Sequence, residues 1–321
     1  MIHSIPHPTR VAIVGAGNVG STFGFALVMS GLASEIVLVD ADPRRAEGEA
    51  MDLTHAVPFS KPVQVWSGSI ADTAGAAITV VSAGTGQKPG ESRLDLVRRN
   101  DQIFASIIPA IASANPDGII LVATNPVDVL TRRSIGYSGL PSGRVFGSGT
   151  ILDTARFRAL LAERLRVDPR SIHAFIAGEH GDTEVPVWSS AAVGGMPLEE
   201  FCRSQAIAFG AADETRIYTA VRDAAYEIID RKGATYYAVA AGLMRIVEAI
   251  LRDQKTVLSV SSLITDYYGI DDVCLSLPTI VGRGGVESVL RLGLSAGEAS
   301  ALRRSAAVLR DTLEELRADA A

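Results

Sequence analysis

Three polar residues after residue 150 have the types and the spacing that proton transfer requires. Asp153 and Arg156 stand three positions apart in LDTARFR (152–158), so a helix over this segment would project both side chains from one face. His180 stands between two glycines in GEHGD, which leaves its imidazole unhindered. Histidine exchanges a proton near neutral pH, and a buried carboxylate partner fixes its tautomer and raises its basicity. The three residues therefore suit a reaction that moves a hydride and a proton together.

Each residue taken singly also has a structural explanation. Asp153 could cap a helix, Arg156 could form a surface ion pair, and His180 could be a turn residue whose hydrogen bonds are satisfied. The catalytic interpretation therefore depends on an independent motif elsewhere in the chain.

That motif is glycine-rich and lies near the N-terminus. The run GAGNVG (15–20) directly follows an apolar, strand-like segment and opens a predicted helix. Gly15 would make the tight turn, Gly17 would let the backbone approach a pyrophosphate, and Gly20 would let helix and strand pack closely. The phosphates would rest on the free N–H groups of the helix N-terminus. The run predicts a dinucleotide site, and its alternative is an ordinary glycine-rich turn.

An acidic residue indicates which dinucleotide this site prefers. Asp40 ends the next predicted strand, twenty residues after Gly20. Its carboxylate would accept hydrogen bonds from the adenosine ribose hydroxyls and repel a 2′-phosphate, which favours NAD over NADP. Arg44 and Arg45 lie nearby and keep NADP as an alternative.

Short β-branched runs alternate with helical segments through the first half of the chain. Near-continuous apolar strands separated by helices indicate a parallel sheet covered on both faces. The predicted fold class is α/β, with a doubly wound parallel Rossmann sheet followed by a second, α+β domain. The predicted strands are VAIVG (11–15), EIVLVD (35–40), VQVW (63–66), ITVVSAG (78–84), GIILVAT (118–124) and RVFGSG (144–149).

After about residue 150 the pattern changes to longer helices mixed with shorter strand-like runs. The helices are expected at about 202–231 and 234–252. We place the domain boundary near Gly147. This division predicts an NAD-binding Rossmann domain over residues 1–147 and a catalytic, substrate-binding and oligomerisation domain over residues 148–321.

The ends of two predicted strands carry polar residues. In a doubly wound sheet, ligands bind in the crevice outside the carboxyl ends of the strands. Strand four ends in SAG (82–84) and leads into the loop TGQKPGESRLDL (85–96), and strand five ends in TNP (124–126). Both ends should overhang the nicotinamide end of a dinucleotide. Asn125 has a structural alternative as the N-cap of a helix with Pro126 at its first position.

Composition narrows the class of protein. At 321 residues, with 47% hydrophobic and 21% charged residues, the chain can bury a sizeable core. The 30 basic and 36 acidic residues leave a net charge of −6, and no basic cluster is visible, which argues against nucleic acid as a partner. Cys202 and Cys274 stand far apart without CxxC spacing, so neither a disulfide framework nor a zinc site is indicated. A reducing compartment, the cytoplasm, fits best.

The sequence also argues against a secretory signal and a membrane span. The N-terminus MIHSIPHPTR has two prolines, two histidines and no apolar stretch of the signal-peptide kind. Residues 11–34 carry no charge, which on length alone would suggest a membrane span. Five glycines, together with Asn18, Ser21, Thr22 and Ser30, instead indicate a strand, a turn and a helix.

Taken together, these motifs resemble the L-lactate dehydrogenase branch of the lactate/malate dehydrogenase family. The resemblance covers essentially the whole chain, and so many matches in the family's order are highly specific. The matching segments are VAIVGAGNVGS, EIVLVD, GQKPGESRLDLV, VATNPVDVLT, GSGTILDTARFR, GEHGDTEVPVWS and KGATYYAVA.

The resemblance implies a role for each polar residue of the proton-transfer set. His180 matches the general acid/base that protonates the pyruvate carbonyl oxygen, and Asp153 matches the carboxylate that orients it. Arg156 matches the residue that anchors the substrate carboxylate through a planar, two-pronged guanidinium. Arg93, in GESR, matches the loop arginine that polarises the carbonyl once the loop has closed and excluded water.

The remaining assignments line the two binding sites. The resemblance implies that Asn125 contacts both substrate and cofactor and that Thr235 and Val239 line the pocket. The substrate-binding residues implied are Gln87, Arg93, Asn125, Asp153, Arg156 and Thr235. The NAD-binding residues implied are Gly15, Gly17, Asn18, Val19, Gly20, Asp40, Arg45, Gly84, Thr85, Asn125 and Val239.

One position separates lactate from malate dehydrogenases within the resemblance. Gln87 stands where malate-specific members carry arginine, which would pair with the second carboxylate of oxaloacetate. A neutral glutamine leaves that carboxylate desolvated without a cationic partner, at a cost on the order of a few kcal/mol. The sequence therefore predicts pyruvate over oxaloacetate, with malate dehydrogenase as the alternative function.

A further match concerns regulation and assembly. Arg158 and His173 match positions that bind the phosphates of fructose 1,6-bisphosphate across a subunit interface in bacterial lactate dehydrogenases activated by that sugar. Two-fold symmetry would bring two copies of each residue together. The positive charge at the interface would be greatest when the histidine is protonated. The alternative is that both residues belong to an interface or surface without an effector. The resemblance also implies a homotetramer.

A function of another class stays open on the fold alone. A dinucleotide-binding module can act as a redox sensor or structural subunit without turnover. A sensor would not need the acid/base set, and all of its members, Arg93, Asp153, Arg156 and His180, are present.

Overall fold

The structure, a computed structural model, describes residues 9–86 and 92–318. In the first half, strands and α-helices alternate as the apolar runs predict, except that a short 3₁₀ helix (Ile70–Thr73) separates the third strand from the fourth. All the predicted strands are confirmed. The strands are β1 (Arg10–Val14), β2 (Glu35–Val39), β3 (Gln64–Ser67), β4 (Ile78–Val81), β5 (Ile119–Val122) and β6 (Val145–Gly147). The helices are α1 (Asn18–Ser30), α2 (Pro43–Ala56), α3 (Arg93–Ala114) and α4 (Val127–Ser138).

These strands pair in parallel in the order β3-β2-β1-β4-β5-β6. The direction of the order reverses between β1 and β4, and a ligand crevice opens at such a point. Val11 and Ile13 of β1 pack into one apolar cluster, while Ala12 and Val14 pack into another on the opposite face. Because both faces are covered, the strand is apolar at successive positions, as the sequence pattern predicts.

The second half mixes longer helices with short strands. The helices are α5 (Ile151–Leu165), α6 (Leu198–Ser204), α7 (Ala211–Lys232), α8 (Tyr237–Leu251) and α9 (Ala296–Ala318). The strands are β7 (Ile172–His173), β8 (Ile176–Ala177), β9 (Val185–Pro186), β10 (Ala192–Val193), β11 (Met196–Pro197), β12 (Thr256–Ile264), β13 (Val273–Gly282) and β14 (Gly285–Val289).

The helix predicted at about 202–231 is wrong in extent, because α6 and α7 share this stretch. Ala206 follows α6 with a φ of 52°, a left-handed conformation that a continuous helix excludes. Gly210 is the N-cap of α7 and has an extended backbone. The second predicted helix, at about 234–252, is present as α8.

One sheet continues from the first half of the chain into the second. Gly147 of β6 pairs antiparallel with Ser261 of β12, and β13 and β14 follow at the same edge. The large parallel sheet and the later α/β part are therefore confirmed, although they share hydrogen bonds. The domain boundary near Gly147 stays a prediction.

A short hairpin in the second half carries His180. Strands β8 and β9 pair antiparallel, and residues 178–184 connect them. Gly178 exchanges backbone hydrogen bonds with Ser276 of β13 at 2.8 and 2.9 Å. Its φ is +91°, and a Cβ there would lie 2.8 Å from Oγ of Ser305, so both conformation and space require glycine. The main sheet thus fixes where the turn begins.

Two kinds of feature are absent from the described part of the chain. No helix of residues 9–86 or 92–318 combines the length and the apolar character needed to cross a membrane. Over the same ranges, no three His, Cys, Asp or Glu side chains are grouped so that they could hold a metal ion. Cys202 and Cys274 are both free and buried.

Candidate active site

Asp153, in the first turn of α5, contacts both of the other residues of the proton-transfer set. Its Oδ2 lies 2.6 Å from Nδ1 of His180, and its Oδ1 accepts a hydrogen bond from Nη1 of Arg156 at 2.9 Å. The Asp153 side chain is 4% exposed and that of Arg156 is 15% exposed. Thr150 is the N-cap of α5, so Asp153 is not its cap, and Arg156 is not in a surface ion pair. The structure thus brings the three residues into one cluster.

The carboxylate sets the tautomer and the charge of the histidine. With Nδ1–H directed at Asp153, Nε2 is the ring atom left for proton exchange. Burial opposes the imidazolium, but the charge and hydrogen bond of Asp153, together with Asp128 and Glu184, raise the pKa of His180 to about 9. Although burial acts against it, the charges of His180 and Arg156 hold the pKa of Asp153 below its ordinary value. At neutral pH the pair is therefore a proton donor beside a carboxylate.

Asp128, which sequence reasoning missed, supports the turn from α4. Its Oδ2 accepts the backbone N–H of His180 at 2.7 Å, and the residue is buried. Burial raises the pKa of Asp128 to about 6. The sequence signal that could have found it is an acid within the apolar run VDVL (127–130), because a carboxyl is costly to bury unless it has a hydrogen-bond or charge partner. One helix of the first half thus holds the backbone of His180, while α5 holds its ring.

Glu184, a second missed carboxyl, ends the same turn. The residue is 5% exposed, and within the described part of the chain its Oε1 has no hydrogen-bond partner. Burial, followed by the charge of Asp153, raises the pKa of Glu184 to about 8, against the charges of His180 and Arg156. At neutral pH Glu184 is therefore an uncharged acid beside an ionic cluster. Its ionisation at higher pH adds negative charge there.

Two further helices hold the turn that carries His180. The hydroxyl of Tyr218, on α7, donates to the carbonyl oxygen of Glu184 at 3.0 Å. Oγ of Ser305, on α9, accepts the backbone N–H of Glu179 at 2.8 Å. Since α4 also holds this backbone, the position of His180 is fixed from three directions.

The glycine-rich run has the close packing and the open space that a pyrophosphate site needs. Gly15 has a φ of +106°, and a Cβ there would lie 2.4 Å from the backbone nitrogen of Ala83. A Cβ on Gly20 would lie 1.9 Å from the carbonyl oxygen of Gly15. At Gly17, by contrast, the nearest atom is Nη2 of Arg45, at 4.0 Å. Gly17 is also the N-cap of α1 without a side-chain cap, so the helix N-terminus has donors available for phosphate oxygens.

Asp40 lies against this run. Its Oδ2 accepts the backbone N–H of Ala16 at 2.7 Å, and its Oδ1 accepts the backbone N–H of Asp42 at 3.0 Å. A carboxylate has about four acceptor sites, so lone pairs remain for ribose hydroxyls. Asn18 and Val19 form the first turn of α1. The residues present therefore fit NAD.

The ends of β4 and β5 meet beside the glycine-rich run. The Ser82 hydroxyl donates to the carbonyl oxygen of Gly15 at 2.8 Å, and the Thr124 hydroxyl donates to that of Ala83 at 2.7 Å. The alternative that Asn125 caps a helix is wrong. Pro126, whose ψ of 114° is extended, is the N-cap, and α4 begins at Val127.

The other predicted site residues are placed as follows. Gln87 lies outside the described residues, and Arg93 is described only as the first residue of α3. Thr235 lies half-buried between α7 and α8, and Val239, in the first turn of α8, packs against the cluster that includes β1. Gly84 and Thr85 follow β4.

The two residues of the predicted effector site, Arg158 on α5 and His173 on β7, lie near each other. Nε of Arg158 donates to the carbonyl oxygen of Ala174, the residue after His173, at 2.9 Å.

Comparison with known proteins gives consistent matches over both halves. Residues 9–147 match the family model of the lactate/malate dehydrogenase NAD binding domain, and residues 150–320 match that of the lactate/malate dehydrogenase alpha/beta C-terminal domain. L-lactate dehydrogenase of Thermus aquaticus is 52% identical over 307 residues, 96% of this chain and 99% of the relative. That of Acetivibrio thermocellus is 50% identical over 307 residues, 96% of this chain and 97% of the relative.

A solved structure gives the same result. The minor L-lactate dehydrogenase from Enterococcus mundtii, in its ligands-bound form, superposes with a TM-score of 0.93 at 42% identity. The alignment covers 96% of this chain and 98% of that one. Sequence and fold therefore agree over nearly the whole length.

Proposed function

The chain belongs to the lactate/malate dehydrogenase family, and from this premise we propose that it is an L-lactate dehydrogenase. It is an NAD-dependent oxidoreductase. The reaction proposed interconverts pyruvate, NADH and a proton with L-lactate and NAD+. The observation that carries the proposal is the double contact of Asp153 with His180 and Arg156.

The cluster supplies the proton and the substrate grip. The nicotinamide, when bound, supplies the hydride. His180, protonated at neutral pH, donates its proton from Nε2 to the carbonyl oxygen of pyruvate and takes it back in the reverse direction. Asp153 holds the ring in the productive tautomer. Arg156 grips the substrate carboxylate through charge-assisted hydrogen bonds, and its own bond to Asp153 restrains its guanidinium.

The resemblance supplies the rest of the site. Arg93 polarises the substrate carbonyl, Gln87 accommodates the pyruvate methyl group, and Thr235 lines the pocket. Asn125 and Thr85 border the crevice at the strand ends, where substrate and nicotinamide meet.

The test is an NADH absorbance assay with pyruvate across a range of pH. The protein is expected to consume NADH at neutral pH, and kcat/KM for pyruvate is expected to fall as pH rises through about 9, because His180 then loses the proton that it donates. Glu184→Gln removes one charge that raises this pKa, so the fall is expected at lower pH. Absence of NADH consumption would refute the proposed function, and a flat profile between about pH 7 and about pH 10 would refute the role of His180.

The same assay separates the alternatives. A malate dehydrogenase would give the higher kcat/KM with oxaloacetate. A redox sensor would bind NADH and consume it with neither substrate. The acid/base cluster favours turnover, since a sensor has no need of a proton donor held from three directions.

We further propose that fructose 1,6-bisphosphate activates the enzyme through Arg158 and His173. The proposal is supported by their placement. Nε of Arg158 donates to the carbonyl oxygen of Ala174, the residue after His173, and Cζ of Arg158 lies 5.0 Å from the ring centroid of Phe175. His173 is exposed, so its ring is accessible to an anion. A two-fold axis near this surface would gather four such groups around one bisphosphate.

Pyruvate saturation curves with and without the sugar bisphosphate test this. The effector is expected to shift the curve to lower pyruvate concentration. Arg158→Gln removes a charge-assisted contact of about 1.5–3 kcal/mol, so half-activation should need roughly 10- to 150-fold more effector. Arg203→Gln, in an exposed helical pair with Glu199, is the matched control and should leave activation unchanged. Superimposable wild-type curves would contradict the proposal.

We also propose a homotetramer. The proposal is supported by apolar side chains exposed on neighbouring helices, since α1 packs against both α2 and α8. The exposed side chains are Phe25 and Met29 on α1, Met51 on α2 and Tyr237 on α8. Large apolar side chains exposed on adjacent helices are typical of a subunit interface.

We place the reaction in the cytoplasm. The free, buried thiols of Cys202 and Cys274 fit a reducing compartment. Reduction of pyruvate there would regenerate NAD+ for glycolysis and fermentation.

A further inference from the structure

The side chain of Asn100, on α3, joins the chain segments that follow β4 and β5. It is 0% exposed. Its Oδ1 accepts the backbone N–H of Thr85 at 2.9 Å and the Thr85 hydroxyl at 3.3 Å. Its Nδ2 donates to the carbonyl oxygens of Thr85 at 3.2 Å and of Asn125 at 3.0 Å. A single amide therefore sets the spacing between Thr85 and Asn125.

The partners of this amide also fix its orientation. A backbone N–H must meet an oxygen, and carbonyl oxygens must meet the NH2 group, so a flipped amide would bring like groups together. The Asn100 oxygen and nitrogen both have partners. Since a buried polar group that loses its partner is costly, the bonds oppose movement of either segment.

The preceding residue of α3 holds the same segment from outside. Nε of Arg99 donates to the Thr85 hydroxyl at 2.5 Å, and Nη2 of Arg99 donates to the carbonyl oxygen of Gly86 at 2.9 Å. Asn100 thus holds the backbone of Thr85, and Asn100 and Arg99 both contact its hydroxyl.

Close packing leaves this segment little room. A Cβ on Gly84 would lie 2.4 Å from Cγ2 of Thr124 and 3.2 Å from Oδ1 of Asn100. The segment after β4 therefore packs closely against both the end of β5 and the side-chain amide of Asn100. A change at Asn100 should displace Thr85 and Asn125 together.

We infer that Asn100 and Arg99 are positioning residues for the reductase reaction. They act by holding Thr85 and Asn125 at the crevice. The inference rests on the proposed function, since Asn125 borders both substrate and nicotinamide there. Substitution should therefore weaken NADH binding and pyruvate turnover beyond any loss of fold stability.

Kinetics of Asn100→Ala and Arg99→Ala test the inference. A misplacement of about 1 Å in a site costs on the order of 10²-fold, so Asn100→Ala should lower kcat/KM for pyruvate roughly 10- to 100-fold and raise the Kd of NADH. Arg99→Ala, which leaves the buried amide intact, should lower kcat/KM about three- to tenfold. Arg99→Lys keeps the positive charge and one donor nitrogen, so it should recover part of that loss.

Asn115 offers a matched control on the same helix. It is a buried asparagine that follows the last residue of α3, and its Nδ2 donates to the carbonyl oxygen of Ala76 at 2.7 Å. Asn115→Ala removes one buried hydrogen bond away from the crevice. It should lower the Tm and leave kcat/KM and the Kd of NADH unchanged, measured well below the unfolding transition.

The outcomes separate the inference from the proposed function. If the wild-type protein fails to reduce pyruvate, the proposed function is wrong. If the wild type turns over, and Asn100→Ala and Arg99→Ala lower only the Tm as Asn115→Ala does, the inference alone is wrong. If Asn100→Ala fails to fold, the Arg99→Ala variant tests the inference. A kcat/KM of Arg99→Ala within about twofold of the wild-type value then overturns it.

Discussion

His180→Asn is expected to lower kcat/KM for pyruvate by about 10²- to 10⁴-fold, the range that a positioned general acid contributes. Asparagine cannot donate the proton that the imidazolium carries at neutral pH. Asp153 would still be paired with Arg156, so the variant should fold. Steady-state NADH consumption measures the loss, and NADH fluorescence titration should show an unchanged Kd.

His55→Asn is the matched control, because His55 is an exposed histidine on α2. It should keep the wild-type rate. If kcat/KM of His180→Asn stays within about tenfold of the wild-type value, another group supplies the proton, and the assignment of His180 as the general acid is wrong.

Gln87→Arg is expected to raise the kcat/KM ratio of oxaloacetate to pyruvate by roughly 10²- to 10³-fold. An arginine would pair with the second carboxylate of oxaloacetate, which the neutral glutamine leaves desolvated at a cost of a few kcal/mol. Pyruvate has only a methyl group at that place. The measurement is the pair of kcat/KM values with NADH, for the wild type and the variant.

The same substitution at an exposed glutamine, Gln205→Arg at the end of α6, controls for added charge. It should leave the ratio near the wild-type value. If Gln87→Arg also leaves the ratio unchanged, residue 87 does not determine the preference between pyruvate and oxaloacetate. The preference for pyruvate would then need another cause.

Local rules predicted much of the first half of the chain. The strands of the parallel sheet are apolar on both faces, and Val11 to Val14 of β1 alternate between two buried clusters. Glycine is required at position 15 because a Cβ would collide with the backbone just after β4. It is required at position 20 because a Cβ would collide with the carbonyl oxygen of Gly15. Such features follow from periodicity and steric limits, and a single sequence records both. Helix ends were less predictable, as the break between α6 and α7 shows.

Asp153 and Arg156 mark the limit of local prediction. Their spacing of three places both on one face of α5, so their contact follows from helix geometry alone. The contact between Asp153 and His180 joins residues 27 apart, and that between His180 and Asp128 joins residues 52 apart. The resemblance implied the first of these contacts, and only the folded chain showed the second.

The sequence by itself determined the parallel sheet, the glycine-rich cradle with its aspartate, and the residue types of the proton-transfer set. Only the tertiary structure decided that Asp128 and Glu184 also surround His180, because burial and the distance between remote segments set a pKa and no local pattern encodes them. It likewise decided that Asn100 spans the ends of β4 and β5. An asparagine in a helix is unremarkable in sequence, and its four contacts exist only once three segments have packed together.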